Sequence, residues 1–98
     1  MDQDKLQQII NWVNRGTLQQ FKIEVDARLT GTNYESEIDK STLTFYEVRK
    51  EGGFLGIGGK TVREPVFQLT ADEDMVEVDE SMADAEFVET LTHSLSEH

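Results

Sequence analysis

From Phe21 to Thr30 the chain alternates apolar and polar residues without a break. Phe21, Ile23, Val25, Ala27 and Leu29 stand against Lys22, Glu24, Asp26, Arg28 and Thr30. A repeat of two is the repeat of a strand, so the pattern predicts β-structure over 21–29 with one face on a core and the other in water. A strand with one wet face belongs in an antiparallel sheet, and the rest of the chain has to supply its partners and its cover.

The partners are expected downstream. Gly31-Thr32-Asn33 is a turn signal, and the polar run Tyr34 to Ser41 reads as a loop or a short irregular edge. Thr42 to Lys50 is rich in Thr, Phe, Tyr and Val and predicts a second strand. Its alternation slips, with Leu43 and Phe45 pointing one way and Tyr46 and Val48 the other. Either a bulge resets the register or both faces are partly covered. Thr61 to Thr70 predicts a third strand, paired with the second as a hairpin. Pro65 has no amide for a ladder and is expected at an edge or bulge. Ala71 to Asp74 is a turn, and Met75 to Asp79 a short fourth strand.

The cover is expected from the ends of the chain. Leu6, Ile9, Ile10 and Val13 form a helical stripe over about 3–15, with Asp2 and Asp4 at its start and Gly16 at its end. Trp12 lies off that stripe and is expected to be half-buried, marking a contact surface. Phe87, Val88, Leu91 and Leu95 form a second stripe over about 82–95, and Ser81 with Asp84 resembles a capping box. The prediction is one α+β domain over 1–98, with an antiparallel sheet of three to four strands between an N-terminal and a C-terminal helix, in the order α-β-β-β-(β)-α. Its core gathers Ile9, Ile10, Val13, Phe21, Ile23, Val25, Phe45, Phe67, Leu69, Val88 and Leu91.

Charge narrows the choice of partners. The 98 residues carry 20 acids and 9 bases, a net charge of −11. All nine bases lie in residues 1–63, where nine acids balance them; residues 64–98 hold eleven acids and no Lys or Arg. That block repels phosphate and anionic lipid and attracts cationic surfaces, so direct nucleic-acid binding is not expected. Asp72, Glu73, Asp74, Glu77, Asp79 and Glu80 are the candidate acidic surface. It would serve solubility, docking of a basic partner, or mimicry of nucleic-acid charge. The absence of Cys excludes disulfides and thiolate metal sites. The apolar runs are too short to span a membrane, and the acidic start is unlike a leader peptide, so the expected location is the cytoplasm.

The most distinctive stretch is Glu51-Gly52-Gly53-Phe54-Leu55-Gly56-Ile57-Gly58-Gly59-Lys60-Thr61, with five glycines in the nine residues from Glu51 to Gly59. A phosphate loop needs Gly, four residues, then Gly-Lys-Ser/Thr; here Phe54 occupies the first glycine's place and a strand follows where a helix is required. The segment Lys50 to Lys60 resembles the hairpin in the amino-terminal domain of the Jag family of bacterial RNA-associated proteins, where a strand leads into Gly-Phe-Leu-Gly-Ile-Gly, a basic residue and a second strand. The resemblance covers about residues 48–63. The strand expected over 21–29 stands where that family has a helix, and the family's RNA-binding domains are not matched, so RNA binding is not carried over. What the resemblance implies is a hairpin with a tightly structured glycine tip. Glycine tolerates the positive φ that such a tip uses. Phe54, Leu55 and Ile57 would either plug the sheet or form an exposed apolar tip. Arg49, Lys50, Lys60 and Arg63 would then make a basic collar around it, against Glu51 and Glu64.

No catalytic constellation emerges. His93 and His98 are five residues apart, one too many for two ligands on a helical face, and His93 reads as a solvated residue of the last helix. Ser36, Ser41, Ser81, Ser94 and Ser96 lack a nucleophile elbow. The acids from Asp72 onward fail the EF-hand spacing, with Val76 in a ligand position and Glu77 in place of the required glycine. The expectation is a noncatalytic protein–protein interaction module without cofactor or metal, binding a partner protein or a second copy of itself. The alternatives are an acidic nucleic-acid mimic that occupies a basic protein, and a small-ligand protein or enzyme with a pocket between sheet and helices.

Overall fold

A computed structural model describes residues 2–52, 59–73 and 75–96. The elements are α1 (Gln3–Val13), α2 (Leu18–Arg28), β1 (Tyr34–Asp39), β2 (Thr42–Glu51), β3 (Lys60–Asp72), β4 (Met75–Val78) and α3 (Ala85–Ser96). The fold is α+β: a four-stranded antiparallel sheet in the order β1-β2-β3-β4 with three helices.

The Phe21–Leu29 segment is a helix, which corrects the strand expected there and changes the order to α-α-β-β-β-β-α. The physical reason is local. At 100° per residue Leu18, Phe21, Val25 and Leu29 fall within an arc of about 80°, and all four are buried. Ile23 and Ala27, the other apolar members of the alternation, face away; Ile23 is 70% exposed and is no part of the core. Thr17 starts the helix with a full capping box. Its Oγ1 accepts from the Gln20 amide at 3.1 Å, and Gln20 Oε1 accepts from the Thr17 amide at 2.9 Å. Lys22–Asp26 at 2.7 Å and Glu24–Arg28 at 3.2 Å add i, i+4 pairs. Gly31, at φ +87°, turns the chain out of the helix.

Helix α1 follows its stripe. Asp2 caps it, accepting from the amides of Asp4 and Lys5 at 3.0 and 3.4 Å, and Leu6, Ile9 and Val13 are buried. Ile10 is only half-buried, a second departure from the expected core. The C-terminal helix begins three residues later than expected, and Asp84 rather than Ser81 stands at its start. The Asp84 carbonyl accepts from the Val88 amide at 3.0 Å, and its carboxylate from the Glu86 amide at 3.4 Å.

The run Tyr34 to Asp39, expected as a loop or irregular edge, is a regular edge strand. Tyr34, Ser36 and Ile38 are half-buried, and Glu35, Glu37 and Asp39 are exposed. Strands β2 and β3 pair from Thr42↔Thr70 to Glu51↔Lys60. The register shifts between Phe45↔Phe67 and Tyr46↔Pro65, so Val66 is the surplus residue of a bulge carried by β3. Pro65 sits beside that bulge. Strand β4 pairs only with Leu69 to Asp72, so Pro65 also lies where β3 lacks a second strand neighbour. Along that side the Asp79 amide reaches the Gln68 carbonyl at 3.1 Å, and the Asp84 amide the Val66 carbonyl at 2.8 Å.

Of the two explanations for the slipped alternation of β2, the second holds: the strand keeps its period of two, the bulge lies on β3, and both faces of β2 are partly covered. Leu43 and Phe45 are fully buried toward the helices, while Tyr46 and Val48 are half-buried on the opposite, open face. Phe45, Phe67 and Phe87 form the centre of the core, with ring centroids 5.1–6.4 Å apart, and Tyr34 meets Phe87 edge-on at 4.9 Å.

Candidate functional site

The sheet does two things that the helices do not cover. It extends past the body, and among the described residues it leaves one face and the outer edge of β1 open.

The extension is a ribbon. Pairing of β1 with β2 ends at Tyr34↔Glu47, and pairing of β4 with β3 ends at Leu69↔Val78. Beyond that, apart from a hydrogen bond from the Val48 amide to the Asn33 carbonyl, Val48–Glu51 pair among the described residues only with Lys60–Arg63. Four residues of antiparallel strand reach about 14 Å. The radius of gyration is 14.5 Å and the longest axis 49 Å, against 29 and 25 Å for the others. A compact chain of this length has a radius of about 13 Å.

The register divides the four expected collar residues between two faces. Arg49 and Lys60 share one face, with Glu47, Glu51 and Glu64; Lys50 and Arg63 share the other. Arg49 lies 2.5 Å from Glu64, 3.7 Å from Glu51 and 3.8 Å from Glu47. Arg63 lies 4.3 Å above the Tyr46 ring and 3.5 and 3.8 Å from Glu35 and Glu37. The ammonium groups of Lys50 and Lys60 carry no ion pair among the described residues. Phe54, Leu55 and Ile57 lie outside the described residues.

The expected acidic surface is dispersed in a similar way. Asp72 and Glu77 point to the open face of the sheet, and Glu73 occupies the β3–β4 turn at φ +52°. Asp79 accepts from the Ser81 amide at 3.1 Å and hydroxyl at 2.5 Å, and Glu80 accepts from Gln3 Nε2 at 2.6 Å. Asp74 lies outside the described residues. Among the described residues no three His, Asp or Glu side chains gather closely enough to hold a metal ion. No helix among them is long and apolar enough to cross a membrane.

A second acidic row is not legible in the sequence, where the polar run 34–41 reads as a loop or a short irregular edge. Glu35, Glu37 and Asp39 stand side by side on the open face, opposite Tyr46, Thr44 and Thr42. The trough beside them has a volume of about 420 Å³ and includes Thr42, Thr44, Tyr46 and Gln68; Gln68 donates to Thr44 Oγ1 at 3.1 Å. The available signal was the Glu-x-Glu-x-Asp spacing, interleaved with Tyr34, Ser36 and Ile38.

Trp12 is half-buried, as its position off the stripe implied, and it ties the helices together. Its indole N–H donates to Glu24 Oε2 at 3.0 Å, and the guanidiniums of Arg15 and Arg28 lie 4.6 and 5.7 Å from the ring. Arg28 also donates to the Ser94 carbonyl at 2.6 Å. The Trp12 hydrogen bond, with Arg28 acting against a cost of burial, holds the Glu24 carboxyl below its ordinary pKa. Burial, reinforced by Glu47, Glu86 and Asp84, pushes the Tyr34 phenol up. Residues of α1 and α3 line an open groove of about 620 Å³, with Lys5 from α1 and Glu86, Glu89 and the exposed His93 from α3.

Comparison with protein-family models, with curated proteins and with solved structures gives no match, so the functional argument rests on the chain's own residues.

Proposed function

We propose that the protein is a noncatalytic interaction module of the cytoplasm that engages a partner protein through the β2–β3 ribbon. The observation that carries this reading is the ribbon's isolation: among the described residues Arg49–Glu51 and Lys60–Val62 have no strand neighbour but each other. A two-stranded ribbon has no core of its own, and its ordering costs entropy that little burial offsets. Arg49, Glu51 and Lys60 on one face and Lys50 and Thr61 on the other are exposed, so among the described residues both faces are open to a partner. Each also carries one cation without an ion pair among the described residues, Lys60 on one and Lys50 on the other.

The test is photocrosslinking in cells from a benzoylphenylalanine placed at Thr61, with the same group at exposed Gln19 on α2 as control. A discrete protein adduct from position 61 is expected, absent from position 19, and lost in the Lys50→Glu/Lys60→Glu variant whose circular dichroism is unchanged. Equal adducts from both positions, or an adduct indifferent to the charge reversal, would overturn the proposal.

A further inference from the structure

The free edge of β1 offers a second surface, chemically distinct from the ribbon. Its backbone can be assigned from two observations. The Val48 amide donates to the Asn33 carbonyl at 2.7 Å, which makes Asn33 and Val48 a hydrogen-bonded pair at the end of the ladder. Such pairs alternate along antiparallel strands, so Glu35↔Tyr46, Glu37↔Thr44 and Asp39↔Thr42 are also hydrogen-bonded pairs. The N–H and C=O groups of Tyr34, Ser36 and Ile38 therefore point away from the sheet. The Tyr34 amide is taken by Thr32 Oγ1 at 3.2 Å, in keeping with that direction. Among the described residues, two amides, Ser36 and Ile38, and three carbonyls remain along the edge.

The side chains beside that edge select what can pair with it. Glu35, Glu37 and Asp39 form a row along the open face, and the Glu35 and Glu37 side chains are 58% and 59% exposed. Arg63 faces the first two from β3 at 3.5 and 3.8 Å, while Asp39 has no ion pair among the described residues. Lys40 adjoins the row in the β1–β2 turn. On the opposite face, Ser36 Oγ donates to Asp26 of α2, itself paired with Lys22. Like charges placed directly opposite each other oppose strand pairing, so a second copy's β1 is rejected, as is any acidic strand. A strand with bases at alternate positions meets a carboxylate at each step.

We propose that β1 accepts an extended basic segment of a partner protein as a fifth strand. Main-chain hydrogen bonds to Ser36 and Ile38 hold the added strand, and Lys or Arg at every second position lies against Glu35, Glu37 and Asp39. The chain's net charge of −11 steers such a segment from a distance. This inference does not depend on the ribbon, and the Lys50→Glu/Lys60→Glu variant should retain it.

The probe is a synthetic peptide of alternating Lys and Thr, nine residues long with Lys at both ends. The control has the same composition with its lysines in one block. Binding is followed by NMR on the whole protein. The expected result is a slowing of Ser36 and Ile38 amide exchange by tenfold or more at saturating peptide, with the largest shift changes in residues 34–39. Glu37→Gln/Asp39→Asn should weaken binding at least fivefold. Ser36→Pro removes an edge amide without touching the β1–β2 ladder, and should abolish binding. Equal affinity for the block peptide, unchanged exchange at Ser36 and Ile38, or shifts centred on residues 72–80 would each overturn the proposal. If Ser36→Pro fails to fold, the exchange measurement and the charge variant still decide.

Discussion

Gly16 shows how much can depend on one hydrogen atom in place of a methyl. A Cβ added there would overlap Gln20 Oε1, the group that closes the α2 capping box onto the Thr17 amide. Gly16→Ala is expected to swing the Gln20 side chain away and cost about 1 kcal/mol, read as a lowered midpoint in urea. Glu24 makes a pH prediction. Its folded pKa lies below its unfolded one, so its contribution to stability is present above the ordinary carboxylate range and fades as pH falls through the depressed value. Trp12→Phe removes the first cause of that depression. The Glu24 midpoint, followed by carboxyl-carbon NMR, should rise, and an unchanged midpoint would contradict the assignment. At this scale the sequence was partly legible. Half-burial of Trp12 followed from its place off the α1 stripe, but its partner lies on another helix and left no trace in local spacing.

At the scale of elements, two helices and three strands could be read, and α2 and β1 could not. The reason in α2 is degeneracy. Phe21, Val25 and Leu29 belong both to a period of two and to a helical stripe, and over nine residues the two differ only at Ile23 and Ala27. The deciding evidence was upstream, in Leu18 extending the stripe and in the Thr17–Gln20 cap. A strand would treat Ile23 and Val25 alike; the helix does not. Ile23→Lys should therefore change stability by no more than about 0.5 kcal/mol, whereas Val25→Asp, which buries an unpaired carboxyl, should cost several kcal/mol or prevent folding. Chemical denaturation of the two variants separates the cases. In β1 the inward residues are Tyr34, Ser36 and Ile38, too polar a set to announce a strand; an edge strand covered by α2 on one side needs little more. The carboxylate row on β1 is hidden for the same reason: a loop or short irregular edge over 34–41 gives Glu35, Glu37 and Asp39 no common face, whereas the acids from Asp72 onward stand out by their density in the sequence.

Across the whole molecule, cohesion is uneven. The Phe45, Phe67 and Phe87 cluster sits under the body of the sheet, while among the described residues the ribbon draws on no comparable packing. Local opening should therefore be much easier at the far end. Amides of Arg49–Glu51 and Thr61–Arg63 are expected to exchange at least a hundredfold faster than those of Leu43 and Leu69, measured by hydrogen exchange. Equal protection would mean that the arm is held by contacts beyond its own ladder. The sidedness of that arm is decided inside the body, at the bulge. Had Val66 been threaded as an ordinary rung opposite Tyr46, every earlier residue of β3, from Pro65 back toward Lys60, would slide by one place. Arg63 would then confront Arg49 across the ladder, and Glu64 would take its seat beside Val48. One residue of slack in the barrel of the hairpin thus acts as a phase shifter, keeping the two guanidiniums on opposite sides and leaving each with its own carboxylates.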